Sequence, residues 1–228
     1  MTYLDWIGSS RVDIGCLVAC VLAVVMYHLF LRHKLKHDPT YTVQAVNTIA
    51  RSAWVKTVMQ GSKDILAVQT LRNSTMAATF LASTAVLLMM GTLTLSGQGT
   101  QIETSWHALN IAGAVHSGIW IFKLLLLLLD FFVAFFSFAS AIRLFNHVGY
   151  MINVPLNLAQ KAISPQHVAA HLNRAGRHYS VGMRAFYFAV PLVFWLFGPV
   201  FLVAATAVMI VALYRNDRAP NELADDYR

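Results

Sequence analysis

The stretch GIWIFKLLLLLLDFFVAFFSFASAI, residues 118–142, decides the fold. Its 25 residues hold two charges, Lys123 and Asp130. Crossing a hydrocarbon core about 30 Å thick takes roughly 20 helical residues, because every backbone N–H and C=O must be satisfied within the segment. Residues 118–142 meet that demand, and so do three other stretches, at about 13–31, 75–95 and 185–214. The whole chain agrees: its 228 residues are 57% hydrophobic and 12% charged, against roughly 25% charged in soluble domains. This excludes an ordinary soluble enzyme, a disordered chain and a secreted disulfide scaffold. Cys16 and Cys20 lie inside an apolar run and read as packing residues. The expected fold is all-α: one integral membrane domain over 1–228, a four-helix bundle. Asp5, Arg11 and Asp13 flank the first span, so it reads as a retained helix and not a cleaved signal.

Loop charge sets the expected orientation. Residues 32–74 carry Arg32, Lys34, Lys36, Arg51, Lys56, Lys63 and Arg72, whereas the connection after the second span has no Lys or Arg. Residues 143–184 carry Lys161, Arg174 and Arg177, with Arg143 and Arg184 on the shoulders. Loops one and three are therefore expected in the cytoplasm and both termini outside, in a bacterial inner membrane. The net charge of +7 would then face anionic lipid headgroups. No basic motif is interleaved with aromatics, so no nucleic acid partner is expected.

Both basic loops have helical texture. Val43, Val46, Ile49 or Ala50, Ala53, Trp54 and Val58 recur at helical spacing, with Asp38-Pro39-Thr40 as a start and Gly61-Ser62 as a break. A second pattern begins near Lys63 and runs unbroken into the span at 75–95, which predicts one long projecting helix. In loop three, Ser164-Pro165 reads as an N-cap with proline in the first turn. The two loops are expected to pack together as a cytoplasmic layer.

Four stretches carry a family resemblance: Gln69-Thr70-Leu71-Arg72-Asn73-Ser74, Arg143-Leu144-Phe145-Asn146-His147, Leu172-Asn173-Arg174-Ala175-Gly176 and Phe197-Gly198-Pro199. Together they resemble the four-pass membrane family called domain of unknown function 599, found in bacteria and plants, over roughly residues 5–215. The resemblance implies a four-helix integral membrane protein and assigns no catalytic residues.

Asp130 falls about 15 Å into its span, near the bilayer midplane. A carboxylate there costs several kcal/mol unless paired, hydrated or protonated. It reads either as an ion or proton site or as hydrogen-bonding glue to Ser83 or Thr84, and glue is the expectation. Lys123 shares its face two turns away but is expected to snorkel outward. His33 and His37, and His167 and His171, stand four residues apart, with His178 and Arg174 on the second stripe. Such pairs can bind a transition metal, yet no Cys, Asp or Glu nearby completes a set, so contact with lipid phosphates is expected and a metal left open. His28 and His147 lie near the same membrane face and offer a haem alternative. Gly15, Ala19 and Ala23 form a small-residue packing face. Pro191 and Gly198-Pro199 interrupt the last span and are expected to kink or curve it. No nucleophile elbow, phosphate loop or zinc-protease motif is present.

The expected function is a non-enzymatic, self-associating membrane protein with a structural, lipid-organising or partner-binding role and bound lipid, without cofactor. The alternatives are a proton or small-ion channel or transporter using Asp130, and a metal or haem protein using the histidines.

Overall fold

The computed structural model describes residues 3–61, 64–97, 117–155 and 163–219. Lys63 and Lys161, two of the loop charges, lie outside the described residues. Among those described, six helices follow one another: α1 Tyr3–His37, α2 Val43–Gly61, α3 Asp64–Gly97, α4 Ser117–Met151, α5 Pro165–Trp195 and α6 Pro199–Asp217. Four are long and apolar enough to cross a membrane, namely α1, α3, α4 and α6. At 1.5 Å per residue, α3 and α4 are each about 50 Å long. Both therefore project beyond a 30 Å core, as the unbroken pattern from Lys63 predicts for α3.

Local chemistry sets the helix boundaries. Ser164 accepts a bond from the His167 N–H at 3.4 Å and Pro165 follows it, the expected cap for α5. For α2 the cap is Thr42, two residues past the expected start. Its Oγ1 accepts from the Ala45 N–H at 3.2 Å, while Asp38 turns the chain by accepting from Thr40.

The largest revision concerns residues 185–214, which are not a single curved span. The chain reverses at Leu196–Gly198, where Gly198 has φ 138° and ψ 162°. That region is essentially closed to any residue with a Cβ, and Pro199 then starts α6 with φ preset for a helix. α6 runs back along α5: Leu202 packs on Trp195, Met209 and Leu213 beside Phe188, and Asp217 reaches Arg184. A glycine and proline that read as a kink make a hairpin instead. Hence the C-terminal half of α5 packs as a further segment beside the four candidate spans.

Chain direction follows. Trp195 meets Asp13 near the start of α1. Arg218 pairs with Thr42 beyond the end of α1, and the Ala219 N–H bonds the Tyr41 carbonyl at 3.1 Å. The described chain therefore leaves the bundle at opposite ends.

The centre is a three-helix stack of α3, α4 and α5, closed by small residues. Ala78, Ala82 and Ala85 of α3 are buried, as are Ala134 and Ala141 of α4 and Ala185 and Ala189 of α5. Close approach through small side chains is the usual basis of helix association in lipid. α6 flanks α5, and α1 lies outermost on α6. The Gly15–Ala19–Ala23 face plays no such part within the chain. A Cβ on Gly15 would meet nothing within 4 Å, and Ala19 is exposed. At one end, α2 packs on the first half of α5, so the two loops do form a joint layer. Its core includes Val55, Val58, Leu71, Phe145, Val148 and Val168.

The reversal generates a labelling prediction. In intact cells, a membrane-impermeant thiol reagent is expected to spare Thr57→Cys and Ala219→Cys alike and to modify Gly97→Cys. Modification of Ala219→Cys alongside Gly97→Cys would return the last helix to a single outward pass.

Candidate functional site

The helix α2 presents an unexpected face to the bundle. Of the apolar stripe read from sequence, Val58 is buried and Trp54 packs on the core, yet Ile49, Ala50 and Ala53 are exposed. What meets α5 is a mostly polar row at the same helical spacing: Gln44, Thr48, Arg51, Ser52 and then Val55. Opposite stand Asn173, Gly176 and Ser180. Arg51 Nε donates to Asn173 Oδ1 at 2.9 Å, Asn173 Nδ2 donates to Ser52 Oγ at 3.0 Å, and Ser180 Oγ donates to Gln44 Oε1 at 3.0 Å. The Arg51 guanidinium lies directly on Gly176. A Cβ there would sit 2.5 Å from Nη1 and 2.6 Å from Cζ, so the glycine is what admits the arginine.

Between this row and α3 and α4 opens a cleft of about 720 Å³. Gln44, Asn47 and Arg51 of α2 line one wall, and Thr70, Asn73 and Ser74 of α3 face it. Phe145, Leu172 and Tyr179 contribute apolar surface. No carboxylate lines the cleft, and among the described residues Arg51 has no ion-pair partner. The Gln44 amide nitrogen is buried without a hydrogen-bond partner. Burial first, and then the like charge of Arg177, pull the Arg51 ionisation below its usual range, but an arginine remains charged at neutral pH. The site is a guanidinium and a set of neutral donors around a hole large enough for a small-molecule group. Three of the four stretches that carry the family resemblance meet here, through Thr70, Asn73, Ser74, Phe145, Leu172 and Gly176.

The sequence-derived candidates distribute elsewhere. Lys123 does not snorkel: it is 3% exposed and pairs with Asp13, itself fully buried, at 3.0 Å. Its ammonium also donates to the Trp195 carbonyl at 3.1 Å and lies 5.1 Å from the Trp195 ring centre. Trp195 Nε1 donates to Asp13 at 2.8 Å, closing the triangle. In the sequence Asp13 reads as a flanking charge, because nothing in a linear pattern pairs residue 13 with residue 123. Asp130 is not the glue expected. Its Oδ2 is buried without a partner, and the Thr84 hydroxyl is spent on the Phe80 carbonyl of its own helix.

The histidines separate into unrelated groups. His171 meets His167 in a tilted contact and His147 edge-on, with ring centres 5.4 and 5.5 Å apart. Burial, then His147, His167 and Arg174, hold His171 below the usual histidine range. His33 and His37 make an edge contact of 4.9 Å on α1, while His178 joins neither contact. Among the described residues no group of three His, Cys, Asp or Glu side chains is placed to hold a metal ion. His28 and His147 are not a facing pair: His28 Nδ1 bonds the Val24 carbonyl and Nε2 receives Arg184 at 2.9 Å. Since Arg184 only donates, Nε2 accepts from it and Nδ1 donates to Val24, so both ring nitrogens are engaged. Arg184 also binds Asp217 at 3.0 Å, and Tyr27 donates to the same oxygen at 2.9 Å.

A family model described as Protein of unknown function, DUF599, matches residues 16–222. No curated protein and no solved structure matches the chain.

The buried triangle generates a stability prediction. Removing one partner of a buried ion pair costs about 3–5 kcal/mol, whereas removing both charges is nearly neutral. Lys123→Met is therefore expected to lower unfolding stability in detergent by that amount, and Asp13→Asn added to it to recover most of the loss. A loss under about 1 kcal/mol would mean that water or lipid headgroups reach the pair.

Proposed function

The chain belongs to the DUF599 family, and from that premise we propose that it is a non-enzymatic membrane protein that organises anionic lipids at the cytoplasmic face of a bacterial inner membrane. One observation carries this reading: the polar cleft around Arg51, set where α3 and α4 emerge toward the amphipathic layer and lined by no carboxylate. Basic residues crowd the same end of the molecule, among them Arg32, Lys34, Lys56, Arg72, Arg143 and Arg174. Each such residue near an anionic surface contributes about 1 kcal/mol of attraction. An apolar groove of about 420 Å³ between α5 and α6, bordered by Tyr187, Val190, Phe194 and Val208, suits an acyl chain. Self-association through the outward Gly15–Ala19–Ala23 face belongs to the same reading.

The test is lipid composition. Protein reconstituted into phosphatidylcholine vesicles with about one tenth phosphatidylglycerol, then recovered in polymer nanodiscs, is expected to carry phosphatidylglycerol at least about threefold over bulk. Equal composition would overturn the reading, and a monomer by native mass spectrometry would overturn self-association.

A second reading, a proton or small-ion pathway, draws on one observation, the unpartnered buried oxygen of Asp130 within a membrane helix. Intramembrane carboxylates without partners often serve ion or proton transfer. If Asp130 is instead only an unsatisfied buried group, Asp130→Leu is expected to stabilise the protein by about 1–3 kcal/mol, and neither it nor the wild type should pass protons above empty liposomes. Wild-type flux abolished by Asp130→Asn would establish the pathway.

A further inference from the structure

We propose that the cleft bounded by Gln44, Asn47, Arg51, Asn73 and Ser74 is a specific site for one phosphodiester with an uncharged, hydroxyl-bearing headgroup, supplied by a membrane phospholipid. The inference rests on the lipid-organising reading and names the ligand of its central site.

The charge of the site comes first. Arg51 is the one charged side chain on the cleft wall, half-buried against α5 with no carboxylate beside it, and Arg177, whose like charge acts on it, lies outside that lining. Its Nε is held by Asn173 and one terminal nitrogen touches Thr48 Oγ1 at 3.4 Å. A planar guanidinium so fixed presents a fork suited to the oxygens of a phosphate. An enclosed charge without a counter-ion is costly, and a ligand anion is what the cleft offers space for. The single cation matches the single charge of a phosphodiester.

The neutral groups then set the rest of the headgroup. Gln44 and Asn47 lie seven and four residues before Arg51, on the cleft wall, so they run about 10 Å along α2 from the cation. The Gln44 amide nitrogen is buried, borders the cleft and lacks an acceptor. Across the gap Asn73 adds an amide, while the Thr70 and Ser74 hydroxyls, which donate to the Leu66 and Thr70 carbonyls of their own helix, offer acceptor oxygens only. Such walls satisfy hydroxyls and give an ammonium nothing anionic to meet. A choline or ethanolamine headgroup would find only the rings of Trp54, Phe145 and Tyr179 there, whereas a polyol can also hydrogen-bond the amide wall.

The source follows from the apolar part of the lining. Leu71, Ala77, Phe145 and Leu172 share the cleft with the polar wall, and α3 and α4 continue from it into the membrane. A soluble phosphate ester would leave this apolar surface uncovered, whereas a lipid glycerol and its first acyl carbons cover it.

Native mass spectrometry of the full chain, equilibrated with equal phosphatidylglycerol and phosphatidylcholine and then delipidated stepwise, tests the site. One phosphatidylglycerol per chain is expected to survive when phosphatidylcholine has gone. Arg51→Gln and the isosteric Gln44→Glu, which sets an anion against the ligand, should each cut that retention at least about tenfold. Arg51→Lys should keep part of it. Arg177→Gln, an exposed charge on the neighbouring helix, should change it less than about twofold. Equal loss in Arg177→Gln and Arg51→Gln, or retention unaffected by Gln44→Glu, would overturn the site; bulk enrichment of phosphatidylglycerol persisting in those variants would leave the broader lipid reading standing. Displacement by millimolar glycerol 3-phosphate as effective as by the lipid would overturn the lipid source and keep the phosphate. Thermal unfolding of each variant in detergent separates lost binding from lost fold, and Gln44→Glu, unchanged in size, decides between them if Arg51→Gln does not fold.

Discussion

An ammonium group with 3% exposure, set between a carboxylate and a carbonyl, fixes the geometry on which the rest of this fold relies. Lys123 stands near the start of α4, Asp13 in the first third of α1, and Trp195 at the hairpin turn. Joining them ties together helices that otherwise touch little: α1 leans mainly on α6, and α4 belongs to the central stack. In lipid the apolar surfaces of helices gain little by meeting each other rather than acyl chains. A charge pair in that setting contributes a specific pairing of helix ends more than net stability. It specifies which helix ends coincide and so sets the register of α1 against the hairpin. The second polar knot, Tyr27 and Arg184 on Asp217, does the same at the other end of α6. Two pins, one at each end, hold the outer helices to the stack.

Between the pins, packing takes over, and it uses small residues on the inner helices instead of α1. Phe138 lies against Gly182, where a Cβ would come within 2.7 Å of the ring. Alanines at 78, 82, 85, 134, 141, 185 and 189 let the three helices close to the distance where van der Waals contact is richest. The large apolar side chains of α1, such as Val18, Leu22, Val25, Met26 and Leu29, face outward. That distribution suits a lipid solvent: bulk outside, small residues inside.

How much of this is legible from the chain depends on whether the signal is local. Length and hydropathy place α1, α3 and α4 without difficulty, and the Ser164 cap and the long helix from residue 64 follow from local chemistry alone. The turn at Gly198-Pro199 uses the same local vocabulary as a kink. What distinguishes reversal from bending is where Trp195 and Asp217 find partners, and those partners are residues 13, 123, 184 and 27. The Asp13–Lys123 pair is invisible for the same reason. The α2 face fails differently: a hydrophobicity pattern assumes that what faces inward is apolar, and here the inward row is Gln44, Thr48, Arg51 and Ser52. Read as a polar stripe at spacings of three and four residues, those positions could have pointed inward. The small face at 15, 19 and 23 shows the converse, since small residues permit close packing without requiring it.

The inward polar row also bears on why the layer formed by α2 and the first half of α5 holds a cleft at all. Two amphipathic helices packed through leucines would close the gap between α2, α3 and α5 and exclude ligand. Arg51 prevents this. Its bulk rests on Gly176, its Nε is tethered by Asn173, and the space it leaves toward Asn73 and Ser74 remains open. A guanidinium half-buried without a carboxylate gains nothing for folding alone, so its placement makes physical sense where an anion enters from outside the chain. The same geometry preorganises the layer for an anion: the cation is already half-buried and oriented before a ligand arrives, which lowers the cost of binding.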